Sequence, residues 1–264
     1  VLFRSNHEPS GTVSMADPLA IDDLRLKVFS EFHQAHRGSH NRQPWHVDFS
    51  SGRWSSQKGG PNRRIRSIVH RNDEGEPDGV VSYEIDKDFG SQITVVDMVA
   101  TTPNAEVALW EFLASVDLIE TIKAPQVDPA TPLPWAVEDP RVVTFTRHTD
   151  LGWLRILDVD RAMAVRGWDH QGSVTFHVTD SMGYAEGTWR VDVDAPGAPA
   201  TVTRVDDFTD AATLDVAALG SLYFGMGRGF SLAAAHRITG TDEQIAAVDR
   251  MFSTVDVAHN ISEF

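Results

Sequence analysis

The chain contains no cysteine among its 264 residues. That excludes disulfides, thiolate catalysis and cysteine-based zinc sites, and it fits a reducing, cytoplasmic setting. No run of about 18 apolar residues occurs, so no membrane span is predicted. No charged-then-apolar leader with a small-residue cleavage site opens the sequence. Internal repeats and long low-complexity segments are absent too. What remains is a globular composition, 41% apolar with seven tryptophans, long enough for about one or two domains with a real core.

Positive charge is scarce after residue 75. The net charge is −15, and residues 1–75 hold eleven Lys and Arg against eight Asp and Glu, whereas residues 76–264 hold twelve against thirty. Phosphate backbones are repelled by such a surface, so nucleic acid is excluded as a partner. Cationic ligands are attracted, and plain solubility is the competing explanation. The opening "VLFRS" can be encoded by codons that read like the end of a sequencing adapter, so residues 1–16 are predicted to be scar and linker.

Periodicity supplies the elements. In "DDLRLKVFSEFHQAHR", Leu24, Val28, Phe29 and Phe32 form one apolar helical face, with Gly38 as a stop. "NRQPWHVDF" reads as irregular or extended. "RIRSIVH" and "GVVSYEI" read as strands around the turn-forming "RNDEGEPDG". "QITVVDMVATTPNAEVALWEFLASV" reads as strand, connection, helix, with Thr102 as cap and Pro103 at the first helical position. The proline-rich "APQVDPATPLPWAVEDP" reads as an ordered connector anchored by Trp135. Beyond residue 150, "WLRILDVDRAMAVRGW" reads as a helix. "SVTFHVT", "GTWRVDVD" and "ATVTRV" read as strands, "DVAALGSLYF" as a helix capped by Asp215, and "TDEQIAAVDRMFS" as a helix with a Thr241–Gln244 capping box. Strands mixed with helices in both halves predict two α+β units, 17–150 and 151–264.

Three motifs invite chemistry. His33, His36 and His40 share a helical face, but no carboxylate completes a metal set and surface histidines explain them as well, so no metal site is assigned. "GMGRGF", Gly225–Phe230, mimics a phosphate loop but follows a helix rather than a strand, which favours a turn with close backbone packing. The strand-to-helix connection "DMVATTPNAEV" is laid out like the coenzyme A loop of GNAT acetyltransferases. It has neither the loop's glycines nor any Lys or Arg between Lys87 and Lys123, and Asp97 and Glu106 flank it. It reads as a GNAT-like frame without cofactor binding. Asp150, Asp158 and Asp160 read as caps and surface charges.

The segments "HRGSHNRQPWHVDF", "DMVATTPNAEVALWEFLASVDLIETI", "DPATPLPWAVEDPR", "WLRILDVDRAMAVRGW" and "VAALGSLYFGMGRGFSLAAAHRI" together resemble, in order, the enhanced intracellular survival (Eis) acetyltransferases. The resemblance runs from about Asp17 to Phe264. It implies an α+β chain, a degenerate GNAT-like domain followed by a sterol-carrier-protein-like (SCP2-like) domain, lacking the family's N-terminal catalytic GNAT domain. It implies acetyl-CoA as donor in the parent protein, with none bound by this fragment, a cationic amine such as an aminoglycoside or lysine as acceptor, and a homo-oligomer, a hexamer in the family. By the same resemblance the α-carboxylate of Phe264 is the general base, Glu263 holds the cationic substrate, and Trp45 lines the substrate cleft, although Trp45-His46 stands where the family commonly has paired tryptophans. A frayed end at Phe264 and a core or interface role for Trp45 are the alternatives. A module binding lipid in an apolar tunnel, and a purely structural unit, are the rival functions.

Overall fold

A computed structural model describes residues 9–55, 57, 59–85, 91–150, 152–207 and 209–262. The chain divides into two units: residues up to Thr149 together with the segment from His259, and Asp150–Ala258. The sequence division ran the second unit to residue 264. The difference arises because Ile261 packs among residues of the first unit's core.

The first unit is built on a five-stranded sheet of order β1-β2-β3-β4-β5. Its strands are β1 (Thr12–Ala16), β2 (Arg66–Arg71), β3 (Pro77–Ile85), β4 (Gln92–Ala100) and β5 (Thr121–Lys123). All neighbours are antiparallel except β4 and β5. Residues 12–16, predicted as linker, are thus an edge strand, paired with β2 from Thr12↔Arg71 to Ala16↔Ser67. Gly11 has φ 87°, and a Cβ there would lie 2.3 Å from the Arg71 carbonyl oxygen, so only glycine admits this close entry. Helices α1 (Asp22–Ala35) and α3 (Pro103–Ala114) cover the sheet. Val28, Phe29 and Phe32 of α1 share a core with Val69, Val80 and Val99. Leu109, Trp110 and Leu113 of α3 share another with Ile68, Val81, Ile93 and Val95. A sheet covered on both faces explains the nearly continuous burial of β2 and β3.

Two short elements depart from expectation. "WHVDFSS" forms a helix, α2 (Trp45–Ser51), entered through Pro44. Trp135 does not anchor the connector: it is 82% exposed, and the buried side chains of α4 (Leu133–Ala136) and its end are Leu133, Ala136 and Val137.

The second unit carries a sheet of order β10-β9-β6-β7-β8, formed by β6 (Gly172–Thr179), β7 (Gly187–Val193), β8 (Thr201–Val205), β9 (Ala212–Asp215) and β10 (Ile238–Thr239). β9 runs parallel to β6, and the other pairs are antiparallel. Its helices are α5 (Val159–Ala164), α6 (Val216–Tyr223), α7 (Gly229–Ala234) and α8 (Asp242–Phe252). The helix expected over 153–168 shrinks to α5, because the Asp158 side chain accepts from Arg161 N and starts the helix there. Asp215 and Thr241 cap α6 and α8, and the Thr241–Gln244 capping box is complete. The inside is filled by aromatic rings: Trp168 and Phe176 meet Phe252 edge-on at 5.1 and 5.6 Å. The Arg166 guanidinium lies 4.5 Å over Trp168 and donates to the carbonyls of Leu222, Tyr223 and Phe252, tying together the last turns of α6 and α8. Phe252→Ala removes the ring that both partners share. We expect urea unfolding to show a loss of about 3–5 kcal/mol.

Candidate functional site

The C-terminal segment is built into the first unit. His259 N–H donates to the Arg37 carbonyl at 3.1 Å. The Asn260 amide donates to His40 Nε2 and to the Ser262 carbonyl, each at 2.8 Å, while its Oδ1 accepts from Ser262 N–H at 3.1 Å. Ile261 and Ser262 are buried. An Asx-type turn therefore fixes the backbone next to residues 263 and 264. The predicted site residues Glu263 and Phe264 themselves lie outside the described residues.

Trp45, the third predicted site residue, opens α2 and is 44% exposed; its ring neighbours are His46 and Phe49. Beneath α2 lies a buried ionic cluster. Arg42 binds Asp97 through both terminal nitrogens, Nη2 to Oδ1 at 2.6 Å and Nη1 to Oδ2 at 3.1 Å. The Arg42 guanidinium also lies 4.2 Å over the Phe29 ring. Arg25 is 3% exposed and donates to Ser82 and Ser67 at 2.5 and 2.7 Å. His46 Nε2 stands 4.0 Å from Asp97. Burial alone would raise the Asp97 pKa; Arg42, with His46 and Arg25 behind it, outweighs burial and holds it below the ordinary carboxylate value. His46 is pushed down, chiefly by burial. Arg25 escaped notice in the sequence, yet it was legible: with Val28, Phe29 and Phe32 it completes an i, i+3, i+4, i+7 set on the apolar face.

A β-bulge places Asp97 there. Ser82 pairs with Asp97 but Tyr83 pairs with Val95, so Val96 is an extra residue in β4. Ile93 and Val95 face α3, and Val99 faces α1. Asp97 accordingly joins the α1 side, where Arg42 binds it and the charge of Arg25 acts on it through space.

The β4–α3 connection is the place to test for coenzyme A, whose pyrophosphate needs free amides at a helix N-terminus. Pro103 has no N–H. Ala105 N–H is bound by Thr102 Oγ1 at 3.1 Å. Thr102 in turn donates to Asp78 Oδ2 at 3.4 Å, and Asp78 Oδ1 lies 2.5 Å from His70 Nδ1. The Asn104 side chain exchanges two hydrogen bonds with the Ser10 backbone. The helix start is thus closed by the chain's own carboxylate and amides, and these residues do not fit a pyrophosphate. Of the two acids flanking the connection in sequence, Asp97 has its charge met by Arg42, and Asp78 is the acid at the helix start.

The remaining candidates resolve locally. His33 bonds Ser39, His36 bonds the Phe32 carbonyl, and His40 joins Asn260. Among the described residues no group of three metal-ligating side chains converges. In "GMGRGF", a Cβ on Gly229 would lie 2.9 Å from the Asp249 backbone, and Arg228 pairs with Asp249. This is close helix packing.

Comparison with known proteins now adds the family. A model described as an acetyltransferase (GNAT) domain matches residues 38–166, and one described as a sterol carrier protein domain matches residues 159–258. These matches, with the relatives that follow, support the Eis-like GNAT N-acetyltransferase family. An uncharacterized N-acetyltransferase of Streptomyces avermitilis is 38% identical over 186 residues, which are 68% of this chain and 44% of that protein. N-acetyltransferase Eis of Mycobacterium tuberculosis is 33% identical over 189 residues, 70% of this chain and 43% of that protein. The crystal structure of Eis1 from Mycobacterium abscessus superposes with a TM-score of 0.81 at 25% identity, covering 100% of this chain and 66% of that one. The chain therefore spans under half the length of these curated relatives. The Eis-like fold of a GNAT domain followed by a sterol carrier domain agrees with the fold expected. The expectation that the chain lacks the family's N-terminal catalytic GNAT domain is not supported, since the GNAT match covers 38–166. Among the described residues no helix is long and apolar enough to cross a membrane.

Two measurements test this geometry. Asp97→Asn strands the buried Arg42 guanidinium, so chemical denaturation at neutral pH should show a loss of about 3–5 kcal/mol. Because the folded Asp97 is depressed, its contribution is present above the unfolded value of about 3.9 and is lost as pH falls through the folded value. The gap between wild type and variant should therefore close only below about pH 4. Asn260→Ala should lower amide exchange protection at Ser262 about tenfold, the effect of one lost net hydrogen bond, and leave β6 and β7 amides unchanged.

Proposed function

We propose that this chain works as part of a longer Eis-like acetyltransferase that transfers acetyl from acetyl-CoA to a cationic amine, with aminoglycosides or lysine side chains as the acceptor class. Its own contribution is the α-carboxylate of Phe264 as general base, with Glu263 holding the cation. The observation that carries this reading is the docking of residues 259–262: Ile261 is buried with Val28 and Phe32, and Asn260 bonds His40. A dispensable end would not be tied down in this way.

The chemistry is direct. An ammonium must lose a proton before its nitrogen can attack a thioester carbonyl, and a carboxylate held beside it accepts that proton. An ordinary α-carboxyl group has a pKa of about 3.5, too low for a good base at neutrality, and burial or an adjacent anion raises it. Acetyl-CoA is the donor that GNAT acetyltransferases use. The closed β4–α3 connection leads us to put the donor site outside residues 92–114, and the chain alone is then inactive. A homo-oligomeric assembly, a hexamer by family resemblance, is part of the same proposal. The exposed apolar side chains Leu26, Trp45, Phe49 and Trp54 support a covered surface there. Lipid carriage by the second unit finds no support, because Trp168, Phe176 and Phe252 fill its interior.

The test uses the full-length parent enzyme with a few residues appended after Phe264. Turnover of a primary amine should fall about 10²- to 10⁴-fold, the range of a lost general base, with the melting temperature unchanged. Unaltered turnover rejects the terminal base.

A further inference from the structure

A cleft of about 400 Å³ on the first unit is lined from α1 and from α2 with the chain that enters it. Arg25, Arg42 and His46 are its charged or titratable walls, and Leu26, Pro44 and Val47 supply apolar surface. No carboxylate is among its lining residues.

Both guanidinium groups are withdrawn from water. Arg25 is 3% exposed and the Arg42 side chain 8%. Each carries a buried Nε–H that meets no acceptor among the described residues. Buried donors in folded proteins are nearly always paired, so two idle ones on residues lining one cleft point to a missing acceptor. The terminal nitrogens are engaged elsewhere. Those of Arg42 hold both oxygens of Asp97, and those of Arg25 donate to the neutral hydroxyls of Ser82 and Ser67. Asp97 and Asp22 act on Arg25 through space, but Asp97 is bonded to Arg42 and Asp22 to Arg53. Burial is the largest influence on Arg25 and pushes its pKa down, and Arg42 lowers it further as a like charge. A guanidinium keeps its proton in proteins, so Arg25 stays a buried cation bonded to neutral oxygens. His46 is held down chiefly by burial and brings no negative charge.

We propose that this cleft binds a short-chain carboxylate, its oxygens accepting from the Nε–H groups of Arg25 and Arg42 and its alkyl chain lying along Leu26, Pro44 and Val47. A carboxylate offers acceptors and no donors, the complement of two guanidinium N–H groups, and it brings the charge that Arg25 lacks as a bonded partner. The apolar wall favours an alkyl chain over a bare inorganic anion. The ligand is opposite in charge to the amine acceptor and is read by binding alone, so failure here leaves the catalytic reading untouched.

The experiment titrates the 264-residue chain with n-butyrate, n-butanol and chloride in separate arms, by calorimetry and by NMR of the arginine Nε–H signals. Saturable 1:1 binding of butyrate is expected, with shifts of the Arg25 and Arg42 Nε–H signals, and with butanol and chloride each at least about tenfold weaker. Arg25→Met removes one donor and leaves Ser67 and Ser82, 3.2 Å apart, to bond each other, so it is expected to fold. Val47→Glu sets a carboxylate on the cleft wall without touching either arginine. Each variant should weaken butyrate at least about tenfold. If Arg25→Met does not fold, Val47→Glu decides. Absence of saturable butyrate binding overturns the proposal. So does butanol binding as well as butyrate, the mark of an apolar groove, or chloride binding as well, the mark of an adventitious ion only. Butyrate binding that either folded variant retains overturns it too.

Discussion

The carboxylate of Asp97, bound by the Arg42 guanidinium and lying in the field of the buried Arg25, organises the first unit. One extra residue in β4 turns this carboxylate towards α1. Once there it cannot be buried alone, because an unpaired buried charge is far less stable than a paired one. Arg25 comes from within α1 and Arg42 from the segment that follows it, so the charge fastens that segment across the sheet. The same segment carries Arg37 and His40, which receive the backbone of His259 and the amide of Asn260. Asp97 therefore acts at a distance on the C-terminal segment, through the chain that it pins.

The β4–α3 connection follows a different rule with a similar outcome. A helix N-terminus attracts negative charge, and in this fold the charge is supplied from within. Asp78 on β3 reaches Thr102, and His70 and Asn104 connect the same corner to Ser10 ahead of β1. The result is a structural cap where the GNAT layout offers an anion site. A single fold can carry both arrangements because the strand and helix set the direction of the amides, whereas the loop residues decide whether those amides are available.

What could be read from the sequence was mostly local. Thr102, Asp215 and the Thr241–Gln244 box were legible as caps because a cap involves residues within one turn. The alternation in "SVTFHVT" and "GTWRVDVD" was legible because those strands keep one register along their length. The strand over 92–100 shows the limit. Ile93, Val95, Asp97 and Val99 alternate without a break, yet the bulge sends the first two to one face and Val99 to the other. Periodicity cannot register a residue that is extra only with respect to a partner strand. Trp135 failed as an anchor for a related reason: burial depends on which side of a short helix meets the core, and Leu133 took that place. The docking of 259–262 spans more than 200 positions between Asn260 and His40 and left no local trace.

Asp97 and Glu106, only nine positions apart, show how the type of donor separates structural charge from available charge. Both lie near the junction of β4 and α3, and both are withdrawn from water. Asp97 receives a bidentate guanidinium, a donor that satisfies both oxygens and cancels the charge. Glu106 receives a hydroxyl and an indole N–H on a single oxygen, which orient the carboxylate without neutralising it. In water the difference would be small, but in a desolvated cleft an uncompensated carboxylate leaves a strong local field. The first arrangement is complete within the chain. The second is oriented by neutral donors alone and has no counter-ion bonded to it among the described residues.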